Sequence, residues 1–137
     1  MRRSDRGSIT LWMLGLSLLI LLFGGLALDY WRGLALQREL AAVADSAALA
    51  AASGIDEEVY RSTGDLVLDP VRSRDLASAA VSWQGVDVVD LVVEVEPAFV
   101  VVTVSGAVKL GLLGAFVDQS EPLLVRASAR ALPVLLP

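Results

Sequence analysis

Carboxylates, serines and a single lysine, Lys109, are the side chains here that could do chemistry; the 137-residue chain has no histidine and no cysteine. The commonest general base, the commonest metal ligand and all thiolate chemistry are therefore missing. A serine nucleophile would need a base, and no Ser-x-x-Lys arrangement surrounds Lys109. Two carboxylate groupings could serve acid–base work: Asp56-Glu57-Glu58, and Asp87 with Asp90. All-oxygen ligands would also suit calcium, but neither grouping has the spacing of an EF-hand loop. Exposed acidic clusters are ordinarily solvated faces. No glycine loop of the phosphate-cradling kind is present, and Gly111 and Gly114 read as turn residues. The expectation is a protein without a catalytic, cofactor-binding or metal site, hence not an enzyme.

The elements that would position any site begin with an uncharged apolar run, Ile9 to Leu28. Helix over that length rises about 30 Å, the thickness of a bilayer's hydrocarbon core. Arg2, Arg3 and Arg6 precede it, against Asp5. Residues 1–28 thus carry a net +2 of a total of −5, leaving −7 for the remainder. Basic flanks stay cytoplasmic, so the N-terminus is expected inside and the acidic remainder outside the cell membrane. An acidic domain has no electrostatic reason to bind nucleic acid. Signal-peptide apolar cores are about 7–15 residues; this run is longer and is read as a retained anchor. The alternative is a cut after Ala27, placing Gly25 and Ala27 at the small-residue positions.

Asp29-Tyr30-Trp31-Arg32 marks the interface, where amphipathic rings concentrate. Asp29 reads as a membrane stop or as a polar contact between packed helices. Beyond it, residues 33–52 lack proline and are rich in helix formers. Gly33, Leu36, Leu40, Val43, Ala47 and Ala50 recur at alternating three- and four-residue steps, a stripe of small and apolar side chains on one helix face. Arg38 and Asp45 lie on another face. A near-continuous helix is predicted from Ile9 to Ala52, with Gly24-Gly25 a place for a kink and Ser53-Gly54 a stop through the left-handed cap conformation. The stripe has two readings. It packs on the protein's own C-terminal portion, or on other subunits, in which case Ala47→Leu would disturb assembly and leave the outer domain folded.

Asp56-Glu57-Glu58 favours a short helical turn. Asp69-Pro70 reads as an N-cap with proline in the first turn of a helix to Trp83, closed by Gly85, with Leu76, Ala77, Ala80 and Val81 inward. Asp90–Glu96, Phe99–Ser105 and Pro122–Ala131 alternate with period two and read as strands, Glu96-Pro97-Ala98 as a turn, and Gly106–Gly114 as a loop or short apolar helix. The fold class is α+β: a long N-terminal transmembrane helix continuing outside the membrane, then one helix and about three antiparallel strands. The expected division is a cytoplasmic N-terminus (1–8), a transmembrane helix (9–28), an Ala-rich extension (29–54) and a small extracytoplasmic α+β domain (55–137).

Arg6-Gly7, the apolar span, Leu28-Asp29, Leu40, and then Ala44-Asp45-Ser46-Ala47-Ala48-Leu49-Ala50 follow one another at spacings that resemble the N-terminal segment of TadE/TadG-like pilus-assembly proteins. The similarity covers residues 6–52. In that family a Gln often follows the Leu; here Ala41 stands there, with Gln37 one turn earlier. The resemblance implies a bacterial envelope protein of the tight-adherence (Flp-type) pilus or a related secretion machine, its helix a pilin-like or minor-subunit anchor. Type IV pilins are cut after a Gly with a Glu at the fifth position beyond. From Gly7 that position is Trp12, and the first Glu is Glu39, so the processing pattern is unmet. The partners implied are the lipid bilayer and other helical subunits of such an assembly; a homo-oligomer is compatible. The alternatives are a membrane-tethered binding or sensor module, which would keep its ligand after loss of residues 1–54, and a secreted enzyme released by signal cleavage.

Overall fold

The structure, a computed structural model, describes residues 5–111, 114 and 123–133. Arg2, Arg3, the surroundings of Arg6 and Gly7, Pro122 and most of the Gly106–Gly114 segment beyond Gly111 lie outside the described residues. The elements are α1 (Asp5–Ala52), α2 (Glu57–Thr63), α3 (Pro70–Trp83), β1 (Asp90–Glu96), β2 (Phe99–Val108) and β3 (Leu123–Ala131), so the fold is α+β. α1 continues through Gly24 and Gly25 and, at 48 residues, is about 72 Å long.

The short helices obey their local signals. Asp56 caps α2, its carboxylate accepting from the amides of Glu58 and Val59, and Gly64 closes it at φ 81°. Asp69 caps α3 in the same way, accepting from Val71 and Arg72, with Pro70 in the first turn. Gly85 follows α3 at φ 64°. Gly54 is different. Among the described residues only Gly64 and Gly85 have positive φ, so Gly54 does not end α1 through the left-handed cap expected of it. It is there for space: a Cβ on Gly54 would lie 2.6 Å from Ser73 Oγ and 2.8 Å from Ser73 N. Its carbonyl accepts from Asp69 N at 2.8 Å and from Ser73 Oγ at 3.3 Å, which ties the start of α3 to the end of α1.

The three strands form an antiparallel meander in the order β1-β2-β3, with Glu96 opposite Phe99 across the Pro97-Ala98 turn. β2 runs on to Val108, beyond the expected end at Ser105; Gly106, Ala107 and Val108 pair with Val125, Leu124 and Leu123. Sequence alternation stops being informative there because Gly106 carries no side chain. α1 and α3 cover one face of the sheet. On that face Val100, Val102 and Val104 of the central strand are fully buried, flanked by half-buried Leu91, Val93 and Val95 and by Val125, Ala127, Ala129 and Ala131. Small residues on β3 let the Ala-rich helix approach. At Gly106 an added Cβ would stand 3.1 Å from Leu40 Cδ1, so the missing side chain makes room for Leu40. The other face carries Glu94, Arg126, Ser128 and Arg130, the last stacked 3.9 Å over the Phe99 ring.

α2 is held to α3 by charge. Glu57 accepts from Arg61 at 2.8 Å and from Arg72 at 2.9 Å. The hydrogen bond from Arg72, with the charges of Arg72 and Arg61, holds the Glu57 carboxyl below its ordinary value. A lowered folded-state pKa stabilises above the unfolded value of about 4.3, and that stabilisation is lost as pH falls through the folded value. Amide protection factors in 57–63, exchange rates taken relative to the intrinsic rate at each pH, are therefore expected to fall on acidification from pH 6 to pH 3, and Glu57→Gln is expected to flatten that dependence. An unchanged pH profile in the variant would contradict the assignment.

Candidate functional site

No catalytic geometry emerges from the two carboxylate groupings. Asp56 is used as a cap and Glu57 as an ion-pair bridge, while Asp87 is exposed in a loop and Asp90 opens β1. What the fold builds with distinctive chemistry is α1 itself.

Its first half is bare. Every large apolar side chain from Ile9 to Leu28 is exposed, from 42% at Leu26 to 76% at Leu11 and Trp12. Among the described residues this is the one helix long and apolar enough to cross a membrane, with mean hydropathy 2.3 in its most apolar stretch. Water would penalise such a surface by roughly 25 cal/mol for each Å² left uncovered. Tyr30 and Trp31, 74% and 63% exposed, follow at once.

The second half has two faces. Leu40, Val43, Ala44, Ala47, Ala48, Ala51 and Ala52 are buried in the protein's own core. Of the stripe, Leu40, Val43 and Ala47 are thus covered within the chain, and Gly33, Leu36 and Ala50 are half-buried. Of the motif tail, Ala44, Ala47 and Ala48 point inward, whereas Asp45 and Leu49, one turn apart, are exposed on the opposite side with Arg38 and Ala42. Leu49 is 63% exposed. The burial of Ala47 changes what a bulky variant reports. Ala47→Leu forces extra methyl groups between α1 and its cover and is expected to lower stability of the head by about 1–3 kcal/mol, contrary to the expectation of an intact outer domain. A chemical-denaturation midpoint equal to wild type would contradict this.

At the junction of the halves sits Asp29. Its side chain is 1% exposed, and its Oδ1 accepts from the Gly111 amide at 2.8 Å, across 82 residues of sequence, and from Arg32 Nη1 at 3.5 Å. The carboxylate therefore pins the segment after β2 to the point where the apolar run ends. A Cβ on Gly111 would lie 2.6 Å from Arg32 Nη1 and 2.9 Å from Asp29 Oδ1, so glycine suits that close approach. Asp29→Ala removes a hydrogen bond from the exposed Gly111 amide to a charged acceptor and is expected to cost about 1.5–3 kcal/mol. Asp29→Asn keeps an acceptor oxygen and should cost less. Exchange of the Gly111 amide reads this directly; a rate unaffected by Asp29→Ala would refute the latch.

The roles of three positions escaped the sequence reading, which took Gly111 for a turn residue. Ser73 is fully buried, and its spacing with Ala77 and Val81, four residues apart each time, was the available signal. Gly106 and Gly111 are defined by partners far away in the chain, and no local pattern marks them. Neither a curated protein nor a solved structure matches the chain. Residues 7–54 match the Tad family, described as "Putative Flp pilus-assembly TadE/G-like", and it is over this segment, nearly the whole of α1 (Asp5–Ala52), that the chain is TadE/G-like.

Proposed function

We propose that this protein is a non-enzymatic, single-pass membrane component of a Flp-type pilus assembly or a related secretion machine, with its N-terminus cytoplasmic and residues from Asp29 onward outside. The carrying observation is the coincidence of the matched segment, 7–54, with a helix whose first half is exposed and apolar. The family match supports involvement with pilus assembly; the basic residues before the run support the orientation. In this reading α1 is a pilin-like or minor-subunit anchor, and the core it shares with the sheet makes rod and head one folding unit. The face left free by that core, Arg38, Ala42, Asp45 and Leu49, is the surface offered to other helical subunits. An exposed leucine beside a carboxylate and an arginine gives such a contact both an apolar anchor and a polar direction.

The test is photo-crosslinking in cells. A crosslinking residue at Leu49 is expected to capture other small helical envelope subunits encoded beside this chain, and one at Asp65, in the loop after α2, is expected not to. Capture of none from Leu49, in cells where the protein is membrane-bound, would overturn the subunit reading. Recovery of the intact chain in the soluble fraction would overturn the anchor.

A further inference from the structure

The sheet ends beside α1 in a set of leucines that face no buried core. Leu123 and Leu124, at the start of β3, are 57% and 48% exposed. With Leu110, after β2, and Phe23, Leu26 and Tyr30 of α1 they line an open groove of about 740 Å³. Depth along the helix decides what this groove meets. Phe23 lies about 7.5 Å before Leu28 along the helix axis, and Leu28 is the last residue of the apolar run. The groove runs from that depth out to Gln37, about 13.5 Å past Leu28 along the axis, so its outer end lies beyond the end of the run and its inner end beside it. The Asp29–Gly111 hydrogen bond fixes the segment after β2 at the same level.

On the membrane reading above, the geometry points to a second membrane contact: the β2–β3 end of the sheet is immersed in the outer interfacial layer of the bilayer, and lipid acyl chains fill the groove between it and α1. The groove is continuous with the surface of Phe23 and Leu26, 58% and 42% exposed, that the span itself presents to lipid. Its polarity is graded. Phe23, Leu26 and Ala27 line the deeper part along the helix, and Tyr30 and Gln37 come later, on the side of water. Around it, exposed Lys109 and the half-exposed Arg32 side chain suit lipid phosphates, and exposed Trp31 suits the headgroup layer. An acyl chain matches such a gradient without a new protein partner. The consequence is a head seated on the membrane at two points, α1 and the sheet end, with its tilt fixed.

The chain lacks cysteine, so single nitroxide labels can be placed on the full-length protein at Leu124→Cys, Leu123→Cys, Leu19→Cys and Ser62→Cys, in vesicles of phosphatidylethanolamine and phosphatidylglycerol. Power saturation with oxygen and with an aqueous nickel chelate reads depth. L19C should report deep lipid, S62C water, and L124C and L123C a shallow lipid position, with an oxygen-to-nickel collision ratio several-fold above that of S62C. Both leucines are partly exposed, so either label can be read if the other perturbs folding. Nickel access at both equal to S62C, with L19C still in lipid, overturns the second contact and leaves the span standing. Protection of both from oxygen and nickel alike means a protein, such as a second copy, fills the groove, and also overturns it. Nickel access at L19C overturns the membrane reading itself.

Discussion

A chain that begins at Ile55 is expected not to fold, whereas one that begins at Asp29 is expected to keep the head. Seven of the fourteen buried hydrophobic residues in the described structure belong to α1: Leu40, Val43 and five alanines. Burying a Leu or Val side chain contributes about 1.5–3 kcal/mol. Removing the helix forfeits Leu40 and Val43 and also bares Val100, Val102 and Val104 of β2, which it covers. Five such side chains together approach or exceed the roughly 5–15 kcal/mol by which a native domain is stable. Circular dichroism and amide exchange on the two truncations check this. A cooperatively folded 55–137 fragment would show that the helix is accessory to the head. The same point bears on the tethered-module alternative, for which loss of residues 1–54 was expected to spare binding: that deletion takes half of the core with it.

Gly54→Ala is expected to destabilise the head by about 1–3 kcal/mol or more, the cost of overpacking a site that cannot relax. The new Cβ would meet Ser73 N at 2.8 Å and Ser73 Cα at 2.9 Å, backbone atoms that move only if α3 moves. Shifting α3 would in turn strain the Asp69 N–Gly54 O hydrogen bond of 2.8 Å that places its cap. Gly33→Ala supplies the opposite sign. Nothing lies within 4 Å of a Cβ there, and alanine is favoured over glycine inside a helix by about 1 kcal/mol. Denaturant midpoints of the two variants should therefore move in opposite directions. Equal shifts would mean that only generic glycine effects are at work.

How far the fold could be read from the sequence depended on whether each signal was local. α3 begins and ends where Asp69-Pro70 and Gly85 place it, and β1 occupies Asp90–Glu96, because caps and period-two alternation act over a few residues. Residues 106–108 of β2 were missed because Gly106 interrupts that alternation, and its true role, making room for Leu40, is a tertiary one. Gly54 was assigned the conformational freedom of glycine when its lack of volume beside Ser73 was the reason. The stripe on α1 was visible, but periodicity alone does not say what covers it. The sheet and α3 cover its Leu40, Val43 and Ala47 from within the chain, and Leu49, outside that stripe, is the large apolar residue left bare between Gly33 and Ala52. Asp29 was visible as the end of an apolar run; its acceptance of the Gly111 amide was not, because that partner is 82 residues away.

The central claim is that one unbroken helix is at once membrane anchor and core of the head. Hydrogen exchange on the full-length protein in lipid vesicles tests it most directly. Amides from residue 9 to residue 52 should form one continuous protected block, with 29–36 exchanging no faster than 40–52. Fast exchange confined to 29–36, between a protected span and a protected head, would reveal a hinge there and contradict it.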